Sequence, residues 1–296
     1  MRFSLRILAL ASMPIFLSAC DFFTDPDDHD GQFYFSNSAV SPLDFKIDEQ
    51  LFSVKHDEIG MVELKPGKHV LETSDGKKQP FLVYSKNQGG IINPNRELYY
   101  TYNMVYAIEN HENKFSPQNT EVVIDGVTLE GPIRSSDAVF IDNNVFRCTY
   151  PIGTPFPEEI VIYDKKSKGN IKSKCFRKKE FIDFYEQESG EALHSEQDLL
   201  NSNDNSVTDE FDYRIPTVDL SNPELQKRAQ DYIALLNEYV NADNAKKQEK
   251  IREQYTKLAM DNTNISYEKI DSEERVKYDN FFRKVNHIIR AGILSK

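Results

Sequence analysis

The chain has 296 residues, 36 Lys and Arg against 48 Asp and Glu, a formal net charge of −12, and 39% hydrophobic residues. That balance suffices for an ordinary core and excludes collagen-like, mucin-like and wholly disordered chains, while no apolar run reaches the ~18 residues that a multi-span membrane protein needs. The acidic excess argues against nucleic acid as the main partner, since phosphate neutralisation needs a basic face, and the length allows one to three domains with two as the central expectation.

Residues 1–6 carry Arg2 and Arg6 and no acid, residues 7–16 are largely apolar, and Leu17-Ser18-Ala19-Cys20 follows. A basic start, an apolar run and small residues before a cleavage point predict a secretory signal rather than a transmembrane helix. The Leu-Ser-Ala-Cys ending resembles the lipobox of bacterial lipoprotein precursors. What the resemblance implies is diacylglycerol on Cys20, cleavage before it and acylation of the new amine, hence a membrane anchor. Each buried CH₂ contributes about 0.8 kcal/mol, so one chain binds marginally and three bind firmly. Asp21 resembles the signal that retains enterobacteria-like lipoproteins in the inner membrane. The periplasmic face of that membrane is therefore expected over the outer membrane. Loss of residues 1–19 removes two Arg and takes the formal side-chain charge to −14. Residues 20–31 read as a short acidic tether after the lipidated Cys. Asp27, Asp28, His29 and Asp30 are consecutive on it, and a solvated linker is expected there, not a metal site.

Cys148 and Cys175 are the two remaining cysteines. In an oxidising compartment an even count predicts a disulfide. Two separately buried thiols are the alternative, and neither a zinc spacing nor a CxxC motif is present.

Residues 32–187 read mainly as short strands. Leu43, Phe45 and Ile47 alternate with Asp44, Lys46 and Asp48 at period two. Lys65-Pro66-Gly67-Lys68 and Ser74-Asp75-Gly76-Lys77 are turn signals between strand-like runs. An antiparallel, sandwich-like domain is expected. Around Leu64-Lys65-Pro66-Gly67-Lys68-His69 the pattern weakly resembles the small PEGA-like modules of envelope proteins, which implies a scaffold without a catalytic set. Tyr99-Tyr100-Thr101-Tyr102 and Met104-Val105-Tyr106 predict a strand pair or a strand running into a bend, with the tyrosines either a binding platform or a half-buried sheet face. Asp125-Gly126 predicts a hairpin turn. Residues 138–141 and 145–150 continue the strand pattern until Pro151, Pro155 and Pro157 break it.

Between 165 and 179 come Lys165, Lys166, Lys168, Lys172, Lys174, Arg177, Lys178 and Lys179, with no acid among them. With Gly169-Asn170 as a turn, this predicts a charged hairpin carrying Cys175. It is either a patch for anionic lipid or an acidic partner, or edge-strand protection. From 180 to 213 the sign reverses: Asp and Glu occur with no Lys or Arg, a short helix is expected near Phe181, and residues 188–221 read as an acidic linker.

Residues 222–296 read as three amphipathic helices in a small bundle. Asn222-Pro223 opens the first as N-cap and first helical residue. Residues 245–260 form the second. Asp271 with Glu274 resembles a capping box ahead of Tyr278, Phe281, Val285 and Ile288, the strongest stripe in the chain, which ends near Gly292. The fold class expected is therefore α+β.

There is no GxSxG, HExxH, Walker or GxGxxG motif, and the six His are scattered. Ser74 and Lys77 match a bare S-x-x-K but lie in a turn. No catalytic residue, metal ligand or cofactor is expected. The expected function is that of a lipid-anchored, non-enzymatic module that docks an envelope protein in an assembly, accessory or toxin-neutralising role. Two alternatives stay open at this point: a small-ligand or lipid-binding lipoprotein, and a hydrolase of an envelope polymer.

Overall fold

The computed structural model describes residues 30–108, 114–160, 168–190, 193, 214–261 and 270–295. The signal segment, Cys20, Asp21, Lys165, Lys166 and residues 194–213 of the expected linker lie outside them. The described residues form, in chain order, strands β1 (Gln32–Ser36), β2 (Leu43–Ile47), β3 (Gln50–Val54), β4 (Ile59–Glu63), β5 (Gly67–Thr73), β6 (Lys78–Val83), β7 (Gly90–Ile92), β8 (Tyr99–Ala107), β9 (Thr120–Ile124), β10 (Val127–Gly131), β11 (Ile133–Ser136) and β12 (Phe140–Asp142). A short helix α1 (Asn143–Phe146), strand β13 (Gly169–Arg177), and helices α2 (Lys178–Ser189), α3 (Pro223–Tyr239), α4 (Ala245–Asp261) and α5 (Ser272–Arg290) follow, and β14 (Ile293–Ser295) is the last described element. The class is α+β with a β-rich N-terminal part.

Alternation along each strand builds the layers, because successive side chains leave a strand on opposite faces. One sheet runs β12-β7-β1-β4 and another β14-β6-β5-β2-β3. Phe33, Phe35, Ile92 and Phe140 from the first meet Phe45, Ile47, Leu71, Phe81, Val83 and Ile293 from the second in one core. The next residues along face away. Leu82, Tyr84 and Leu294 join the inward stripes of α3, α4 and α5 in a second core. Tyr34, Ile91 and Ile141 face the layer that holds Cys148, Cys175 and Tyr99. Beyond it a sheet of order β11-β8-β13 turns Tyr100 and Phe176 toward α2 and the β9–β10 hairpin. A one-residue slip in β6, β7 or β13 would exchange two cores, so register is set by burial on both faces.

Local chemistry places the helices. Asn222 Oδ1 accepts hydrogen bonds from the N–H groups of Glu224 and Leu225, with Pro223 at the first position. Asp271 caps α5 in the same manner. Glu274 does not close a capping box; it reaches across to accept the N–H groups of Ser221 and Asn222, at 2.5 and 2.8 Å, and ties the starts of α3 and α5 together. Those donors hold its carboxyl below the usual range.

Several expectations are corrected. β1 and β7 are parallel, because the intervening chain builds the second sheet before returning. Tyr99–Ala107 is one continuous strand. Residues 143–146 form a helical turn that takes up the start of the strand expected at 145–150, since Asp142 Oδ1 caps it by accepting the Asn144 N–H. No turn forms at Gly169-Asn170: Gly169 opens a nine-residue strand paired with β8 from Ala107 back to Tyr99, and Lys178 begins α2. Gly169 serves close approach, not a turn, for a Cβ there would stand 2.6 Å from the Tyr106 carbonyl oxygen.

The chain end departs most from the sequence reading. After α5 the chain continues as β14, which pairs antiparallel with β6. Asp142, fully buried, organises this joint: its Oδ2 accepts the N–H of Gly292 at 2.7 Å and that of Ile293 at 3.4 Å. Gly292 leaves no room for a side chain, since a Cβ would lie 2.4 Å from Asn144 Oδ1 and 2.8 Å from Asp142 Oδ1. Burial outweighs the three N–H donors and pushes the Asp142 carboxyl up to about 7. A carboxyl raised in the folded state binds a proton that the unfolded chain, titrating near 4, has released. Its contribution to stability is therefore greatest in acid and declines as pH climbs from about 4 to about 7. Denaturation of wild type and Asp142→Asn across pH 5 to 8 should show a wild-type advantage that shrinks toward neutrality by on the order of 2 kcal/mol and levels off above it. A difference that does not vary with pH would refute this account of Asp142.

Candidate functional site

The loop after β6, the turn α1 and the C-terminal joint share one polar network. Asn87 Oδ1 accepts the N–H groups of Gly31 and Gly89, and its Nδ2 donates to the Tyr84 carbonyl. Asn144 Oδ1 accepts the Gln88 N–H, while its Nδ2 donates to the carbonyls of Lys86 and Arg290. Gln248, fully buried on α4, accepts the Ser85 N–H and donates to the carbonyls of Val83 and Ala242. Stacked Tyr84 and Tyr239, 4.2 Å between ring centroids, close the apolar side. These amides satisfy backbone groups that burial would otherwise leave unpaired, and they fix three remote segments against one another.

Over this network lies a cleft of about 540 Å³. Lys86 and Gln88 come from the loop, Asn144, Arg147, Cys148 and Thr149 from α1 and the residues after it, Arg252 from α4, and Arg290 from the last turn of α5. Arg147 closes α1 in the left-handed region, φ 54°, with its N–H on the Asn143 carbonyl. A non-glycine residue there carries strain that the surrounding bonds sustain. Among the described residues, no ion pair engages Lys86, Arg147, Arg252 or Arg290, and no carboxylate or imidazole lines the cleft. Arg252 reaches the Tyr239 hydroxyl, whose pKa burial pushes up to about 12, while its Nη1 is buried without a hydrogen-bond partner.

Four of the basic residues singled out in the sequence have ion-pair partners within the fold. Lys174 is 3% exposed and pairs with Glu180. Arg177 faces Asp57, Lys178 pairs with Asp125 at 2.5 Å, and Lys179 pairs with Asp183 one helical turn on. Lys168 stands at the open start of β13, and Lys172 is half-buried along it. The tyrosines of β8 are similarly engaged. Tyr99 bonds to Ser36 Oγ, Tyr100 stacks on Phe181, Tyr102 meets Phe184 edge-on, and Tyr106 donates to the Pro157 carbonyl. His69 has both ring nitrogens occupied, Nδ1 by Asp48 Oδ2 and Nε2 by the Lys65 carbonyl, which leaves none to take a proton from a substrate. The sulfurs of Cys148 and Cys175 are bonded, with Cα atoms 5.3 Å apart, and this bond joins the cleft wall to β13. Cys20, Asp21, Lys165 and Lys166 lie outside the described residues.

Sequence reasoning missed all four cleft cations. They stand singly at 86, 147, 252 and 290 with no period or motif linking them. The one local signal was Arg147, set between an Asn-Asn pair and a cysteine.

No protein-family model, curated protein or solved structure matches this chain. Among the described residues there is no group of His, Cys, Asp and Glu that could hold a metal, and no helix is long and apolar enough to cross a membrane. Chemically, the cleft offers concentrated positive charge and one hydroxyl, that of Thr149. It can hold an anion, and among the described residues its lining supplies no base to activate a nucleophile.

The Lys174–Glu180 pair anchors α2 to β13. Burial pulls the Lys174 pKa down, opposed by Glu180. Lys174 Nζ also donates to the Cys175 carbonyl and sits 4.3 Å from the centre of the Phe176 ring. Removing one member of such a pair strands the other. Glu180→Gln should cost about 3 kcal/mol in chemical denaturation. Lys174→Met should cost clearly less, since Met packs on Phe176 and Glu180 keeps the N–H groups of Gly153 and Arg177. Equal losses would show that the pair is not the anchor.

Proposed function

We propose that the protein is a lipid-anchored envelope lipoprotein, tethered through Cys20 at the periplasmic face of the inner membrane, that acts as a non-enzymatic module docking another envelope protein. Assembly, accessory and toxin-neutralising roles all use this chemistry. The observation that carries the reading is the open cationic cleft, whose described lining offers groups for binding an anion. In the same reading the part of the 188–221 span that follows the end of α2 at Ser189 is an acidic linker and α3–α5 a three-helix bundle, supported by the core that α3 shares with α4 and α5. The lipobox at residues 17–20 supports the anchor, and the disulfide supports an oxidising compartment.

Two measurements test the two halves. Cys20→Ala should give an unprocessed or soluble chain when cells are fractionated and labelled with palmitate; a processed, acylated, membrane-bound Cys20→Ala chain would end the lipoprotein reading. For docking, a photocrosslinking amino acid at Gln88, an exposed residue of the cleft rim, should capture one stoichiometric protein in intact envelopes. The same group at Met260, exposed on α4, should not. Equal yields at both positions, or no protein adduct at Gln88 in a correctly anchored chain, would remove the docking partner.

A further inference from the structure

We infer that the cleft receives an acidic peptide segment, in which two or more Asp or Glu side chains meet the cations of Arg147, Arg252, Arg290 and Lys86. This rests on the docking reading and names the chemistry of the partner at the same site. The first ground is charge without internal partners. In a chain of net charge −12, carboxylates are abundant, and they pair with Lys174, Arg177, Lys178 and Lys179, yet among the described residues none pairs with these four cations. A buried guanidinium nitrogen without an acceptor, Arg252 Nη1, is an unmet donor inside the wall, and a guanidinium matches a carboxylate in fork geometry.

The second ground separates a peptide from a compact phosphoryl group. Phosphate sites draw on converging backbone N–H groups, at helix N-termini or nests. Here the elements end at the cleft with their C-termini: α1 at Arg147 and α5 at Arg290. The carbonyls of Lys86 and Arg290 point into the network and are met by Asn144, whose amide is thereby used up, and the Gln88 N–H is taken by Asn144 Oδ1. The backbone supplies no donor cradle for a small dianion. The positive charge is carried by long side chains on four separate segments, around a volume of about 540 Å³. Such spacing suits carboxylates distributed along a chain.

The probe is a blocked peptide, acetyl-Asp-Glu-Asp-Glu-amide, titrated by calorimetry into the full lipidated protein in neutral detergent. Its Asn-Gln-Asn-Gln counterpart and inorganic pyrophosphate are the comparison ligands. The acidic peptide should bind at least tenfold tighter than the amide peptide and weaken as salt rises. Arg147→Asn with Arg290→Gln should weaken it at least tenfold. Both positions are exposed, and Asn tolerates the left-handed conformation at 147, so the fold should stand; unchanged thermal unfolding confirms that. Lys284→Gln, exposed on α5 outside the cleft, should leave affinity unchanged. Equal binding of the two peptides, no loss in the double variant, or pyrophosphate binding tighter than the acidic peptide would overturn the inference. Peptide binding without a crosslinked protein at Gln88 would uphold the cleft chemistry and remove the docking partner; a partner crosslinked at Gln88 through a segment without Asp or Glu would do the reverse.

Discussion

The carboxylate of Asp142 holds together segments 150 residues apart in sequence, and the layered architecture depends on that joint. It ends β12, caps α1 and accepts the N–H groups that open β14. Through β14 it fixes the end of α5 against β6, and through α1 it sets Asn144 under the carbonyls of Lys86 and Arg290. A buried carboxylate is costly unless hydrogen-bonded. Three backbone donors offset part of that cost here, and the raised pKa records the remainder. A strand of three residues would not stay at a sheet edge through its own ladder bonds. Burial of Ile293 and Leu294 in two different cores, together with the Asp142 clamp, is what retains it.

The helices consequently do not fold beside the sheets but onto them. Leu82, Tyr84 and Leu294 supply one wall of the core that α3 and α5 close, and each fully buried side chain of that size is worth about 1.5–3 kcal/mol of transfer free energy. Between the next two sheets the Cys148–Cys175 bond joins the α1 segment to β13, closing a loop that in the chain-entropy model is worth about 3–4 kcal/mol. The two constraints flank the same stretch, Asp142 to Cys148. The residues between them, including the left-handed Arg147, are therefore held from both sides. A positioned cation differs in this from a solvated one, because the entropy of ordering it has already been lost on folding.

What could be read from the sequence followed the range of its signals. Helices α3, α4 and α5 announced themselves by stripe and cap, Asp125-Gly126 by turn chemistry, and β2 by alternation, since each signal lies within one element. The short helix α1 did not, because a four-residue turn has no period and depends on a single Asx cap. β14 was hidden behind the end of α5, where Ile-Leu after Ala-Gly shows its meaning only when β6, some 210 residues earlier, lies beside it. Part of the basic run found its partners at a distance: Asp57 and Asp125 come from remote segments to Arg177 and Lys178, while Glu180 and Asp183 follow within α2, and only the latter two could be anticipated from the sequence. The cleft was illegible for a different reason, its cations being single residues from segments remote in sequence that the Asp142 carboxylate and the Asn87, Asn144 and Gln248 amides bring together.

This distribution bears on how an acidic partner would approach. Net charge governs the far field, and a chain of −12 repels an acidic body at distances where the cleft's own charges blur into the total. Within a screening length, about 8 Å at physiological ionic strength, the local field of three guanidiniums and an ammonium dominates. Added salt then acts oppositely on the two steps of association. It weakens the repulsion that slows encounter and the attraction that prolongs contact. Rim charges set encounter, whereas Arg252, half-buried and held by Tyr239, belongs to the contact itself. Discrimination would accordingly reside in dissociation.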